Sequence, residues 1–446
     1  MSRESNLDQL TNWLQARYHD QTEYLQATSE IARDVIDVFN ANEAYKQYDV
    51  LRRLSVPERI IHFTVHWLND DNQVEIHQGW RVQHSGLIGP YKGGLRFHPT
   101  VNESILKFLA FEQSFKNALT GLPIGGAKGG SDFNPRGRSE TEIMRFCQAF
   151  MTELYRHIGP NTDVPAGDIN VSGREIGFLY GQYRRILNQF GGTLTGKDIS
   201  FGGSHVRTEA TGFGLIYMLE AVLETHQTPL KNKVVGISGA GNVALHAALR
   251  ATQLGARVVS LSNSRGALLN ESGFSENSLT QAIETKDQHN NILKALSDDG
   301  HGDYQADASP WQLNMDIALP CATQNEIDEP AAQKLVDHNV RFLLEGANMP
   351  CTTRAHQVLA ENKIVYVPGK ASNAGGVAIS GLEMSQNAAF RRDSYSDIDT
   401  TLKHIMRSIH QQCLQEGQRD GEINYAKGAN IAGFRRLADA IVMQGL

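Results

Sequence analysis

Residues 233–260 constrain the fold more tightly than any other part of this chain. Val234-Val235-Gly236-Ile237-Ser238 is a continuous apolar run, the pattern of a parallel strand buried on both faces. Gly239-Ala240-Gly241-Asn242-Val243-Ala244 follows directly, then a helical pattern with Ala247, Ala248 and Leu249 that Gly255 ends. Arg257-Val258-Val259-Ser260-Leu261 is the next strand. Strand, glycine loop, helix and strand within about 30 residues make a βαβ unit, which calls for a parallel sheet. Short apolar strands recur at 316–319, 340–344 and 364–367, each followed by a polar loop. The stretch 203–375 is therefore expected to be a doubly wound α/β domain.

Within the loop, Gly239, Gly241 and Ala244 fit the spacing G-x-G-x-x-G/A. Small residues there permit a tight turn and close approach of backbone to a pyrophosphate, with a helix N-terminus facing the phosphates. Gly239 and Gly241, with Val243 in the same loop, are the expected dinucleotide contacts. The end of the second strand bears on which dinucleotide. A ribose without a 2′-phosphate is usually held there by Asp or Glu. This chain has Ser262-Asn263-Ser264-Arg265, with no acid. A carboxylate would repel a 2′-phosphate, whereas Ser264 and Arg265 can bind one. The expected cofactor is NADP(H), with NAD(H) the alternative if Arg265 is only a solvated turn residue.

The first 202 residues read as a separate α/β domain. Residues 7–39 have helical periodicity, and 60–67 alternate as a half-buried strand. His62 and His66 share the outer face of that strand, with no cysteine or carboxylate clustered beside them, so no metal site is expected. A hairpin partner spans 74–83, and helices are expected at 102–119, 140–156 and 175–190. Gly125-Gly126-Ala127-Lys128-Gly129-Gly130 is read as a loop. Pro165 and Gly167 likewise make 163–173 a loop that positions Asp168. Gly191, Gly192, Gly196, Gly202 and Gly203 mark the domain boundary, and 376–446 is mostly helical.

Composition narrows the class. The 446 residues are 40% hydrophobic and 20% charged with a net charge of −7, which argues against a nucleic-acid or anionic-membrane partner. No apolar run approaches the roughly 20 residues that span a bilayer. The N-terminus lacks the apolar core of a secretory signal. Four scattered cysteines with no C-x-x-C pair point to a reducing cytoplasm.

Three lysines stand in unusual places. Lys92 precedes Gly93-Gly94, Lys116 lies on an apolar helix three residues after Gln113, and Lys128 stands among glycines. Each alone suits a solvated surface position. Together, upstream of a dinucleotide domain, they suggest a cationic pocket for a small dianion. Asp168 adds a carboxylate that can shuttle protons, as an amine–carbonyl redox reaction requires.

Long ordered stretches carry a resemblance. They are Gly89-Pro90-Tyr91-Lys92-Gly93-Gly94-Leu95-Arg96-Phe97, the segment around Lys116, Gly125 to Phe133, Val164 to Asp168, Glu209-Ala210-Thr211-Gly212, Cys321 to Glu326, Glu345-Gly346-Ala347-Asn348 and Asn373 to Val377. The chain resembles the hexameric bacterial NADP-type glutamate dehydrogenases of the Glu/Leu/Phe/Val dehydrogenase family over nearly its whole length. The resemblance implies a substrate-binding and oligomerisation domain over 1–202, a Rossmann-like domain over 203–375, and a helical segment 376–446 that packs back on the first. It implies Lys128 as the lysine that activates water and Asp168 as proton relay. Lys116 would bind the α-carboxylate of 2-oxoglutarate or L-glutamate, with Gln113 and Gly167 lining the site. Lys92 and Ser380 would hold the distal carboxylate. Thr211 and Asn242 would contact NADP(H), Lys286 would lie near its 2′-phosphate, and Asn348 by the nicotinamide. A cytoplasmic homohexamer assimilating ammonia would follow. The alternatives are an NAD-dependent enzyme or one acting on another amino acid. Asn170, Ser172, His205 and Thr208 depart from the family's pattern, and Asn263 replaces an acid seen in many relatives.

Overall fold

The computed structural model describes residues 7–445 and divides into two compact α/β units. The first comprises the chain up to Arg207, Val377–Ile398 and the residues from Asn430 onward; the second comprises Thr208–Gly376 and Asp399–Ala429. Of the C-terminal residues, Val377–Ile398 and those from Asn430 onward thus group with the first unit and Asp399–Ala429 with the second.

Five strands build the sheet of the first unit: β1 Arg59–Leu68, β2 Val74–Ser85, β3 Tyr91–Phe97, β4 Gly126–Ser131 and β5 Asp163–Gly167. Their order is β1-β2-β4-β3-β5. β2 pairs antiparallel with β1 on one side and β4 on the other, while β4, β3 and β5 run parallel. The alternation read in β1 holds. Val65 and Trp67 enter a core of Phe97, Phe133, Phe146 and Phe150 beneath helices Glu140–Leu154 and Gly173–Leu187, while His62 stacks on Trp80. On the other face, Trp80 and Val82 pack with Leu106 and Ala110 of helix Glu103–Leu119. Helix starts are fixed by side chains: Asn102 caps one, and Ser139 and Ser172 form capping boxes with Glu142 and Glu175. The expected helix over 7–39 is two, Leu7–Arg17 and Thr22–Asn40.

Two stretches read as loops are strands. Gly126–Ser131 is β4, buried and flanked on both sides. Its glycines answer to crowding: a Cβ at Gly126 would stand 2.0 Å from Ser114 Oγ and 2.5 Å from Ser114 Cα. Asp163–Gly167 is β5, and Pro165 is tolerated because β5 is the edge strand.

The main sheet of the second unit has seven strands: β6 Val234–Ser238, β7 Arg257–Asn263, β8 Gly266–Leu269, β9 Asp303–Ala306, β10 Ile317–Pro320, β11 Phe342–Leu344 and β12 Val365–Val367. Their order is β12-β11-β10-β6-β7-β8-β9. β12, β11, β10, β6 and β7 are parallel; β8 and β9 extend the edge antiparallel. The strand order reverses between β6 and β10, and the carboxyl ends of such strands form a ligand crevice.

Candidate active site

In the first unit, β3 and β4 lie side by side and carry the cations. Alternation puts Lys92 and Arg96 on one side of β3, while Leu95 and Phe97 turn into the aromatic core. Lys128 lies in mid-β4 opposite Val82, on the face covered by helix Glu103–Leu119. Asp168 directly follows β5, whose Gly167 pairs with Leu95. Lys128 Nζ donates to Asp168 Oδ1 at 2.8 Å, and Arg96 Nε donates to Oδ2 at 2.7 Å.

Charge and burial set how this group behaves. Lys128 is only 4% exposed. Burial lowers its pKa from the ordinary lysine value; Asp168 opposes the shift and Arg96 adds to it. Burial also works against the Asp168 carboxylate, but Lys128 and Arg96 outweigh it and hold that pKa well below the usual range. Asp168 is therefore the fixed charge. Lys128 is the member whose proton becomes exchangeable closer to neutral pH.

A second cluster surrounds Lys92, which is 1% exposed. Burial drives its pKa well down, with Arg207 and Arg81 adding and Glu383 and Asp163 opposing. Both carboxylates are committed elsewhere. Asp163 takes Arg81 in two bonds, at 2.9 and 2.5 Å, and Glu383 takes Lys197 at 2.7 Å. Four cations therefore face two carboxylates. Arg207 Nε and the buried hydroxyls of Thr193 and Thr195 find no hydrogen-bond partner among the described residues. Surplus positive charge with unsatisfied donors suits a small anion. Ser380, also buried, lies one turn from Glu383 on helix Gly375–Ala388 and shares its face. Gln113 and Lys116 are half-buried on helix Glu103–Leu119, and Gln113 donates to Asn117 Oδ1 at 2.7 Å.

In the second unit the glycine loop leaves β6 at the switch in strand order. Gly239 has φ 94°, and its amide donates to Ser262 Oγ at 3.0 Å. Gly241 caps helix Asn242–Gln253 without a side-chain bond to the first amides, and a Cβ there would meet nothing within 4 Å. Open amides at a helix start with space before them fit a phosphate group. Lys286 donates to Asn242 Oδ1, which brings an ammonium to the same helix start. Ser264 and Arg265 are exposed on the turn between β7 and β8, where Asn263 bonds Asn291 at 2.8 Å and Arg265 reaches Asn290 Oδ1 at 3.3 Å. Thr211 lies half-buried in the first turn of helix Ala210–Thr225. Val243, half-buried, is in the first turn of helix Asn242–Gln253, and exposed Asn348 accepts from Asn373 at 3.0 Å.

Residues 57–185 match the Glu/Leu/Phe/Val dehydrogenase dimerisation domain, and 202–445 match the Glutamate/Leucine/Phenylalanine/Valine dehydrogenase domain. The chain belongs to the Glu/Leu/Phe/Val dehydrogenase family. This family member is 49% identical to the NADP-specific glutamate dehydrogenase of Escherichia coli K12 over 446 residues, all of both chains. It is also 49% identical to the NAD-specific glutamate dehydrogenase of Bacteroides fragilis over 443 residues, 99% of this chain and 100% of that one. The crystal structure of Plasmodium falciparum glutamate dehydrogenase superposes with a TM-score of 0.96 at 45% identity, covering 99% of this chain and 94% of the other. Among the described residues, no helix is long and apolar enough to cross a membrane.

Within this dehydrogenase several charged partners escaped sequence reading. Arg96 lies in the stretch 89–97, but its ion pair with Asp168 forms only because β3 and β5 are neighbours. Arg81, Asp163, Arg207 and Glu383 are far apart in the chain and carry no local pattern. The departures also find places. Asn170 adopts φ 58°, a left-handed conformation that asparagine tolerates, and donates to Phe97 O at 2.9 Å. Ser172 caps helix Gly173–Leu187, and the His205 ring lies 6.4 Å from that of Tyr395.

Proposed function

We propose that this chain catalyses the reversible reductive amination of 2-oxoglutarate by ammonia, giving L-glutamate and water, with NADP(H) as redox partner. It is an oxidoreductase acting on a CH–NH2 group. The observation that carries the reading is the buried Lys128–Asp168–Arg96 cluster, one strand away from an anion pocket around Lys92. NADPH, when bound, supplies the hydride that reduces the substrate Cα.

The chain's own residues do the rest. Lys128, with its lowered pKa, takes and returns the proton of the water that leaves or attacks at the carbonyl carbon. Asp168, ionised at rest between Lys128 and Arg96, takes a proton from the substrate nitrogen only in passing and hands it on, so that it relays protons without storing one. Arg96 fixes the rotamer of that carboxylate. Lys116, with Gln113 and Gly167, receives the α-carboxylate. Lys92 and Ser380 receive the distal carboxylate, and Arg207 and Thr195 offer it further donors. An aliphatic side chain in that place would leave buried cations without a counter-charge, at a cost of several kcal/mol.

Gly239, Gly241, Asn242 and Val243 would hold the pyrophosphate, Thr211 would contact the dinucleotide, Asn348 would lie by the nicotinamide, and Ser264, Arg265 and Lys286 would receive the 2′-phosphate. Relatives of equal identity differ in cofactor, so overall similarity does not set the preference. The acid-free turn 262–265 and Lys286 favour NADP(H). The dimerisation-domain match supports an oligomer, which we infer to be a cytoplasmic homohexamer working towards glutamate.

Steady-state kinetics with 2-oxoglutarate and ammonia, NADPH against NADH, test this reading. The expected result is turnover with the higher kcat/KM for NADPH. No turnover, or faster turnover of leucine than glutamate, would overturn it.

A further inference from the structure

The second unit holds a group of potential metal ligands that the proposed reaction does not use. Glu345 directly follows β11, Cys351 bridges in parallel to Ile327, and His356 stands in the first turns of helix Thr353–Glu361. One ligand atom from each lies within 4.8 Å of the other two. His356 Nε2 is 3.8 Å from Glu345 Oε1. In a tetrahedral zinc site, imidazole nitrogen and carboxylate oxygen stand about 3.4 Å apart, and thiolate sulfur and nitrogen about 3.6 Å, from the usual bond lengths. The observed group is thus a slightly open form of that arrangement.

Two further observations point to a ligand. Glu345 is 3% exposed and takes a hydrogen bond from the Cys351 thiol, while neither its Oε1 nor the buried His356 Nε2 has a nitrogen or oxygen hydrogen-bond partner among the described residues. Buried polar atoms left unsatisfied call for an explanation. These two atoms face each other beside Cys351. The surroundings also orient the ligands as outer partners do at metal centres. Gly369 N donates to Glu345 Oε2 at 2.7 Å and leaves Oε1 as the single coordinating oxygen. The His356 ring packs 4.6 Å from Tyr366, and Thr352 caps the helix that carries it. His356 is partly exposed, so an ion has an entry path and a solvent molecule can complete its coordination.

We propose that Glu345, Cys351 and His356 bind a borderline-soft divalent cation of the zinc class. Thiolate and imidazole select such ions over magnesium and calcium, which prefer all-oxygen sites. The ion would tie the 345–351 loop, which carries Asn348, to helix Thr353–Glu361.

Cobalt(II) titrated into the metal-stripped full-length protein tests this. The expected result is one equivalent per chain with a thiolate-to-cobalt charge-transfer band, abolished by zinc and absent in Cys351→Ser. His356→Gln alters a half-exposed side chain and is the second variant; it should weaken binding at least about tenfold. Zinc should raise the thermal midpoint of the wild type and not that of His356→Gln. A wild type without the band, a band that survives Cys351→Ser, or unchanged affinity in His356→Gln would overturn the proposal.

Discussion

Asp168 is shared: one carboxylate oxygen accepts from Lys128 Nζ at 2.8 Å and the other from Arg96 Nε at 2.7 Å. This sharing predicts opposite effects for two substitutions. Asp168 raises the Lys128 pKa and Arg96 lowers it. A rate that needs neutral Lys128 rises with pH through that pKa. Arg96→Gln should move this limb to higher pH, and Asp168→Asn should move it lower while cutting kcat by about 10²–10⁴-fold. Lys128→Ala should collapse kcat with NADPH binding retained. pH profiles of kcat/KM for the three variants check this; shifts in the same direction for Arg96→Gln and Asp168→Asn would refute it.

Gly126→Ala asks whether β4 is packed as tightly as its glycines imply. The added methyl would meet Ser114 Cα at 2.5 Å, so β4 and helix Glu103–Leu119 must part. Overpacking of this kind costs about 1–3 kcal/mol. Lys128 is two residues along the same strand, so kcat should fall with the melting temperature. A variant with wild-type melting and turnover would contradict the account.

These glycines also show where sequence reading stops. β6 and its loop were legible because strand, turn and helix signals are all local to 234–253. In β4, glycine content argues locally for a loop; the reason for a strand is the proximity of Ser114, Arg96 and Trp80, which only the assembled sheet supplies. Pro165 likewise reads as a breaker until β5 is seen at the edge. Lys128 and Asp168 were found through a motif. Arg81–Asp163 and Lys197–Glu383 span 82 and 186 residues of sequence and obey no spacing rule.

Ser264→Asp should turn the cofactor preference. The turn 262–265 has no acid, and a carboxylate placed there would face a 2′-phosphate. Like-charge juxtaposition costs several kcal/mol, so the NADPH/NADH ratio of kcat/KM should fall at least about tenfold. NADH turnover should be largely kept. An unchanged ratio would remove Ser264 from the cofactor site.

His84 should shape the acid limb of stability. It is buried beside Tyr24 Oη at 3.4 Å and Ser114 Oγ at 3.2 Å. Burial, aided by Lys107, lowers its pKa to about 3. Unfolded histidine titrates near 6.5, so between these values the unfolded chain binds a proton that the folded chain does not. Stability contributed by His84 is complete above about pH 6.5 and falls by about 1.4 kcal/mol per pH unit below it. His84→Gln should flatten the slope of unfolding free energy between roughly pH 6 and 4 in urea titrations. The same slope in the variant would exclude His84 as its source.

Gly241→Ala separates ligand binding from folding. A Cβ at Gly241 touches nothing within 4 Å, and φ there is −86°, so alanine fits the fold without strain. Melting of the ligand-free protein should be unchanged. The methyl nevertheless occupies the space before the open amides of helix Asn242–Gln253, where a phosphate must approach. The NADPH dissociation constant, read by fluorescence titration, should rise at least about tenfold, equal to about 1.4 kcal/mol. Wild-type affinity in a normally folded Gly241→Ala protein would mean that the pyrophosphate is held elsewhere.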